Sequence, residues 1–170
     1  LVGCDDPFAP RDWSVSTDTI VLYLADRADY QGLPSAFDMA TPRPVLIEGA
    51  HAGGQWDFAL VSGEDGLALA PAGAFSGFGS RAGIAVDPGP FEAVERAPSD
   101  TAKYAHDTLV ALDLSLIYVI RSRPVREYYG LCTYYGKIQP IRIDEAQGRF
   151  EFTYAQNPNC NDRSLVPTDD

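Results

Sequence analysis

This chain is built from short β-branched and aromatic runs, set apart by clusters of Gly, Pro, Asn and Asp. That rhythm constrains the fold more than any other feature. Runs of this length suit strands, and a turn signal every ten residues or so suits antiparallel neighbours. Thr19–Leu24 and Pro44–Glu48 read as strands. Trp56–Ser62 alternates Trp56, Phe58 and Leu60 with Asp57 and Ala59, which predicts one buried face. Glu64-Asp65-Gly66 is a hairpin turn signal, and Leu67–Ala70 returns. Gly83–Asp87, Thr108–Leu112, Leu116–Arg121, Leu131–Tyr135 and Lys137–Glu145 continue the series. Arg149–Tyr154 puts Phe150, Phe152 and Tyr154 on one face.

Between the runs, residues 30–42 read as a loop broken by Gly32, Pro34 and Pro42, and residues 71–90 as a long Gly- and Pro-rich excursion. Phe91–Arg96, after Pro90, is the one helix candidate, about two turns long. No βαβ alternation and no fixed-period repeat occurs. The expected fold is mainly β, an antiparallel sandwich or barrel with one short helix and an extended N-terminal tether. Residues 1–18 form the tether, 19–156 a single β-rich domain and 157–170 a polar C-terminal tail.

An apolar fraction of 45% is enough for a buried core. The formal net charge of −11 argues against nucleic acid, which wants a basic stripe, and against lying flat on anionic lipid. It suits a basic partner surface, or solubility alone.

Leu1-Val2-Gly3-Cys4 matches the end of a bacterial lipoprotein signal. In such signals the Cys thiol receives a diacylglycerol and the chain is cut before it. The expectation is therefore lipidation at Cys4, a membrane anchor without a transmembrane helix. Asp5 resembles the signal that retains lipoproteins on the inner membrane, which places the domain on its periplasmic face. The competing reading is an ordinary Cys in a frayed terminus. With Cys4 assigned to lipid, Cys132 and Cys160 remain as an even pair in an oxidising compartment. A disulfide between them closes a loop of about 28 residues, worth about 3–4 kcal/mol in the chain-entropy model. Two free thiols are the alternative.

No catalytic constellation and no metal site is expected, and no cofactor. His51 lies in a Gly-rich turn, and neither it nor His106 has a ligand at metal spacing. No Gly-x-Ser-x-Gly elbow occurs. Acid pairs such as Asp57 with Glu64, or Asp144 with Glu145, are expected by number alone among 24 acids. Two features suggest partner binding instead. Arg121, Arg123 and Arg126 cluster within one short stretch, and Tyr128, Tyr129, Tyr134 and Tyr135 surround Cys132. Arg and Tyr are enriched at interfaces. Residues 121–135 are the preferred contact region, and the 71–90 excursion, with Phe75 and Phe78 as anchors, is second.

The segments Thr19-Ile-Val-Leu-Tyr23, Gly32-Leu-Pro-Ser-Ala-Phe-Asp38, Trp56-Asp-Phe-Ala-Leu60, Ser80-Arg-Ala-Gly-Ile84 and Tyr118-Val-Ile-Arg-Ser-Arg123 resemble a family of small bacterial lipoproteins. Within it, the chain is similar to membrane-extrinsic accessory subunits of bacterial photosynthetic reaction centres with a double light-harvesting ring. The resemblance covers most of residues 4–125 and no catalytic motif. It implies a non-catalytic periplasmic subunit bridging reaction-centre and antenna polypeptides. The alternative is a stand-alone periplasmic lipoprotein that binds a glycan or small ligand. A hydrolase with a purely spatial site is a third class.

Overall fold

A computed structural model describes residues 9–47, 54–75 and 79–167. Twelve strands follow in chain order: β1 Ile20–Tyr23, β2 Ala36–Asp38, β3 Arg43–Val45, β4 Phe58–Gly63, β5 Gly66–Pro71, β6 Gly83–Asp87, β7 Val110–Ala111, β8 Ile117–Arg121, β9 Val125–Glu127, β10 Gly130–Cys132, β11 Tyr135–Asp144 and β12 Arg149–Asn157. They form two five-stranded antiparallel sheets and a two-stranded ribbon. One sheet runs β1-β12-β11-β8-β6, the other β3-β2-β4-β5-β7, and β9-β10 is the ribbon. The sheets pack face to face as a sandwich, not a closed barrel.

The main core lies between the sheets. Leu22, Ile84, Tyr118, Ile120, Ile138, Phe150 and Phe152 from the first sheet meet Phe37, Phe58, Leu60, Leu67 and Leu69 from the second. Phe37 stands edge-on to Phe152, with ring centroids 5.4 Å apart. Gly136 lets Met39 in: a Cβ there would sit 2.5 Å from Met39 Sδ and 2.7 Å from Ala155 O.

The reading of strand β4 as half buried needs correction. Trp56 through Leu60 are all buried. Phe58 and Leu60 enter the main core, and Ala59 joins Ala36, Val45, Trp56, Ala72 and Ala82 in a separate cluster. The expected loop at 30–42 contains strand β2, which is too short to stand out between Pro34 and Pro42.

The first sheet is covered on its outer face as well. Ala85, Ile117, Val119 and Ala155 pack against Phe91, Val94, Ala97, Tyr104 and Leu165. The short helix expected at 91–96 is one 3-10 turn, Phe91–Ala93. It stops because the chain after it pairs elsewhere. Leu165 N–H donates to Glu95 O and Ala97 N–H to Arg163 O. The polar segment after β12 is thus folded back on the body. Trp13, from the segment read as tether, packs against the same cluster.

Lys137 lies beneath this cover, 1% exposed. Its ammonium donates to Phe91 O (2.6 Å) and Val94 O (3.0 Å) and sits 4.2 Å from the Phe91 ring centroid. Burial pushes its pKa down, and Glu92 and Glu95 oppose that. Lys137→Met keeps the stem but strands two carbonyls, so it should lower unfolding free energy by about 2–4 kcal/mol. Urea titration checks this; an unchanged midpoint would mean that water takes over both carbonyls.

Candidate functional site

The β8–β11 pair is prolonged at one end by the β9–β10 ribbon. Tyr135 pairs with Arg121, and beyond that pair the chain leaves the sheet and returns through the ribbon. Glu127 pairs with Gly130, so the connection is only Tyr128-Tyr129. Two-residue hairpins favour Asn-Gly or Gly-containing pairs with positive φ. Here neither Tyr has positive φ, and Gly130 (φ 139°) takes the unusual backbone instead. Tyr128 is 92% exposed, Tyr129 62% and Leu131 60%. The two rings meet edge-on, with centroids 4.8 Å apart. Large exposed aromatics where turn chemistry wants small residues break a local rule, and such breaks mark functional sites.

The base of the ribbon is fastened to the C-terminal segment. Cys132 and Cys160 are disulfide-bonded, with Cα atoms 4.9 Å apart. Asn161, in the left-handed region at φ 59°, accepts from Thr133 N–H through Oδ1 (2.9 Å) and donates through Nδ2 to Leu131 O (3.3 Å). One residue before the disulfide, Asn159 grips the N-terminal segment from both sides. Its Oδ1 accepts from Arg11 N–H (2.6 Å), and its Nδ2 donates to Arg11 O (3.0 Å). N-terminal segment, ribbon and C-terminal segment thus form one cross-linked end. Between them lies a groove of about 560 Å³, lined by Pro10, Arg11, Tyr128, Tyr129, Tyr134 and Asn159 among others. The Tyr134 hydroxyl donates to Glu127 Oε1 (3.0 Å); burial first, then Glu127, pushes its pKa up.

The residues nominated from sequence separate into groups. Tyr128, Tyr129 and Arg126 are exposed on the ribbon, and Tyr134 is half-buried in the groove. Arg121 is half-buried and donates to Arg81 O (2.7 Å). Tyr135 packs on the outer cluster of the first sheet, and Phe75 stands edge-on to Trp56, so both are packing residues. Cys4, Phe78 and His51 lie outside the described residues.

Arg123, expected at a partner contact, has its guanidinium turned inward. Its side chain is 16% exposed and lies between two buried carboxylates. Nη1 donates to Asp38 Oδ1 (2.8 Å) and Asp57 Oδ1 (3.2 Å), and its backbone N–H donates to Asp57 Oδ1 (2.7 Å). Met39 N–H donates to Asp57 Oδ2 (2.7 Å), and Ala40 and Thr41 N–H groups donate to Asp38 Oδ1. Burial pushes the Asp57 pKa up, opposed by the Arg123 guanidinium and the backbone N–H groups of Arg123 and Met39. The network joins the second sheet to the root of the ribbon. Local sequence gave no signal of it, because Arg123 lies 66 residues from Asp57 and 85 from Asp38.

His106 and Asp144 are engaged internally, and so is Asn157. His106 Nδ1 lies 2.9 Å from Ala82 O and Nε2 3.1 Å from Thr101 O, so both ring nitrogens face backbone carbonyls. Asp144 pairs with Arg142 at 3.1 Å and accepts from Gln147 N–H. Asn157 donates to Asp162 and Ser164 O. Among the described residues, no three His, Cys, Asp or Glu side chains gather as a metal site.

Tyr128→Ser should leave unfolding free energy within about 0.5 kcal/mol of the parent, as expected for an exposed position at a hairpin tip. Urea titration checks it; a loss well beyond that would assign Tyr128 a structural role within the fold. No family model, curated protein or solved structure matches this chain.

Proposed function

We propose that this chain is a non-catalytic accessory subunit, held by lipid on Cys4 at the periplasmic face of the inner membrane, that positions neighbouring membrane proteins. Reaction-centre and antenna polypeptides are the sharpest version of the partner. The observation that carries this reading is the cross-linked ribbon end. It projects Tyr128, Tyr129 and Leu131 from a rigid base and holds the N-terminal segment beside them. Rigid aromatics on a braced hairpin suit binding, because little side-chain or loop entropy is lost on contact. The groove beside Tyr134, lined also by Arg11, Glu127 and Asn159, supplies the polar rim of such a surface. Acidity over the rest of the body favours a basic partner face.

The test is purification from the native membrane in mild detergent, with intact mass measured on what elutes. A lipid-modified Cys4 in a stoichiometric complex supports the reading. An unmodified chain eluting alone overturns it.

A second reading rests on the groove itself. Tyr128, Tyr129 and Tyr134 beside Arg11 and Asn159 also suit a glycan, whose C–H faces stack on aromatic rings. Calorimetric titration with periplasmic oligosaccharides separates the two: binding that Tyr134→Ala abolishes favours the glycan.

A further inference from the structure

The geometry points to a lipid bilayer as the occupant of the ribbon apex: Tyr128, Tyr129 and Leu131 sit in the headgroup interface, with the ribbon end facing the membrane. This rests on the reading of Cys4 as the lipid-bearing residue and deepens it by fixing the orientation of the whole body.

Reach is the first argument. Asn159 pins the backbone of Arg11 on both sides, and Cys4 is seven residues upstream. Even fully extended, those residues span only about 25 Å. Strand β11 alone, ten residues long, runs about 33 Å. It begins at Tyr135 beside the ribbon and ends at Asp144, near Leu112 and Leu114 at the opposite end. A lipid on Cys4 therefore reaches a bilayer beneath the ribbon end and falls short of one at the Asp144 end.

Chemistry is the second. Tyr is enriched at membrane–water interfaces, where an apolar ring and a polar hydroxyl are both satisfied. Leu131, 60% exposed on the same ribbon, adds an apolar side chain. The ribbon's own charges, Arg126 and Glu127, cancel. Such an apex suits zwitterionic lipid. The net charge of −11 resists an anionic surface. A membrane-embedded partner then meets the ribbon at the same level as the lipid headgroups, from the groove side.

The third is rigidity. The apex cannot fold away, because the disulfide and Asn161 hold the ribbon base to the C-terminal segment.

The experiment places single tryptophans at the two ends of the full-length lipidated protein. Tyr128→Trp reports the apex and Leu114→Trp the far end, where Leu114 is 58% exposed. Each variant, recovered from the membrane of a lipoprotein-processing host, is reconstituted in phosphatidylcholine vesicles with lipids brominated in the upper acyl chain. Parent fluorescence from Trp13 and Trp56 is subtracted. Residues at the interface lie within about 5–10 Å of the headgroup–acyl boundary, so the Tyr128→Trp signal should fall by about half while the Leu114→Trp signal stays unchanged. Equal quenching at both ends, or none at either, in vesicle-bound lipidated protein overturns the orientation and leaves the anchor reading intact. A chain whose mass shows bare Cys4 and which does not float with vesicles overturns both.

Discussion

Arg123→Met should lower unfolding free energy by about 3–5 kcal/mol, the cost of leaving a buried charge without its partner. Methionine keeps the apolar stem, so the loss reports the guanidinium rather than a cavity. Two carboxylates, Asp38 at 1% and Asp57 at 1% exposure, lose the cation between them. The defect should depend on pH in a definite direction. Arg123 is the main group opposing the upward push of burial on Asp57. Without it, the folded-state pKa rises further above the ordinary value of 3.8. Between those values the folded protein holds more protons than the unfolded chain, so stability falls as pH rises through that window. The deficit relative to the parent should be smallest near pH 4 and larger at neutrality. Urea unfolding of parent and variant across that range measures it. A deficit below about 1 kcal/mol at pH 7 would assign the network little more than a surface pair. The ribbon, rooted directly after Arg123, should also lose amide-exchange protection in the variant before the main core does.

Opening the Cys132–Cys160 disulfide should cost about 3.5 kcal/mol, the chain-entropy value for residues 28 apart in sequence. With a urea slope of 1–3 kcal/mol per M, the double variant Cys132→Ala/Cys160→Ala should unfold about 1–3 M earlier than the oxidised parent. Reduction of the parent should reproduce most of that shift. A shift under about 0.3 M would mean that Asn161 and the buried Leu165 already hold the C-terminal segment without the bond. If the bond does carry the segment, the double variant also loosens Asn159, and with it the grip on Arg11. The same substitution then weakens the orientation argued for the apex.

Period-two patterning made the sandwich legible because its core strands obey it: Phe150 and Phe152 point inward on β12, as Phe58 and Leu60 do on β4. It misled wherever a second layer covers the other face. Lys137 alternates with Ile138 on β11, and the 91–104 segment and Leu165 lie over it. Nothing local announces that cover, because it comes from residues distant in sequence, 43 positions away for Val94. The partners of Arg123 are likewise distant in sequence. Three arginines in one stretch look like one surface feature, but strand ends turn successive side chains different ways. Arg126 is exposed, while Arg123 finds two aspartates brought together by β2 and β4. Tyr128-Tyr129 occupies a turn where the usual small residues are missing, and that anomaly is visible in the sequence as soon as the hairpin is placed.

The strand order has a consequence for the time course of folding. β1 occupies an edge of the first sheet, and its sheet partner is β12, with Ile20 opposite Phe152. A nascent chain therefore carries Ile20-Val-Leu-Tyr23 unpaired within the sheet until β12 has left the ribosome. The second sheet can form earlier from β2 to β5, whose hairpin contacts are local. Half a sandwich then waits with apolar Phe37, Phe58 and Leu60 uncovered. Such an intermediate is slow to mature and prone to associate with its own copies. Truncation before Arg149 should leave it permanently in that state.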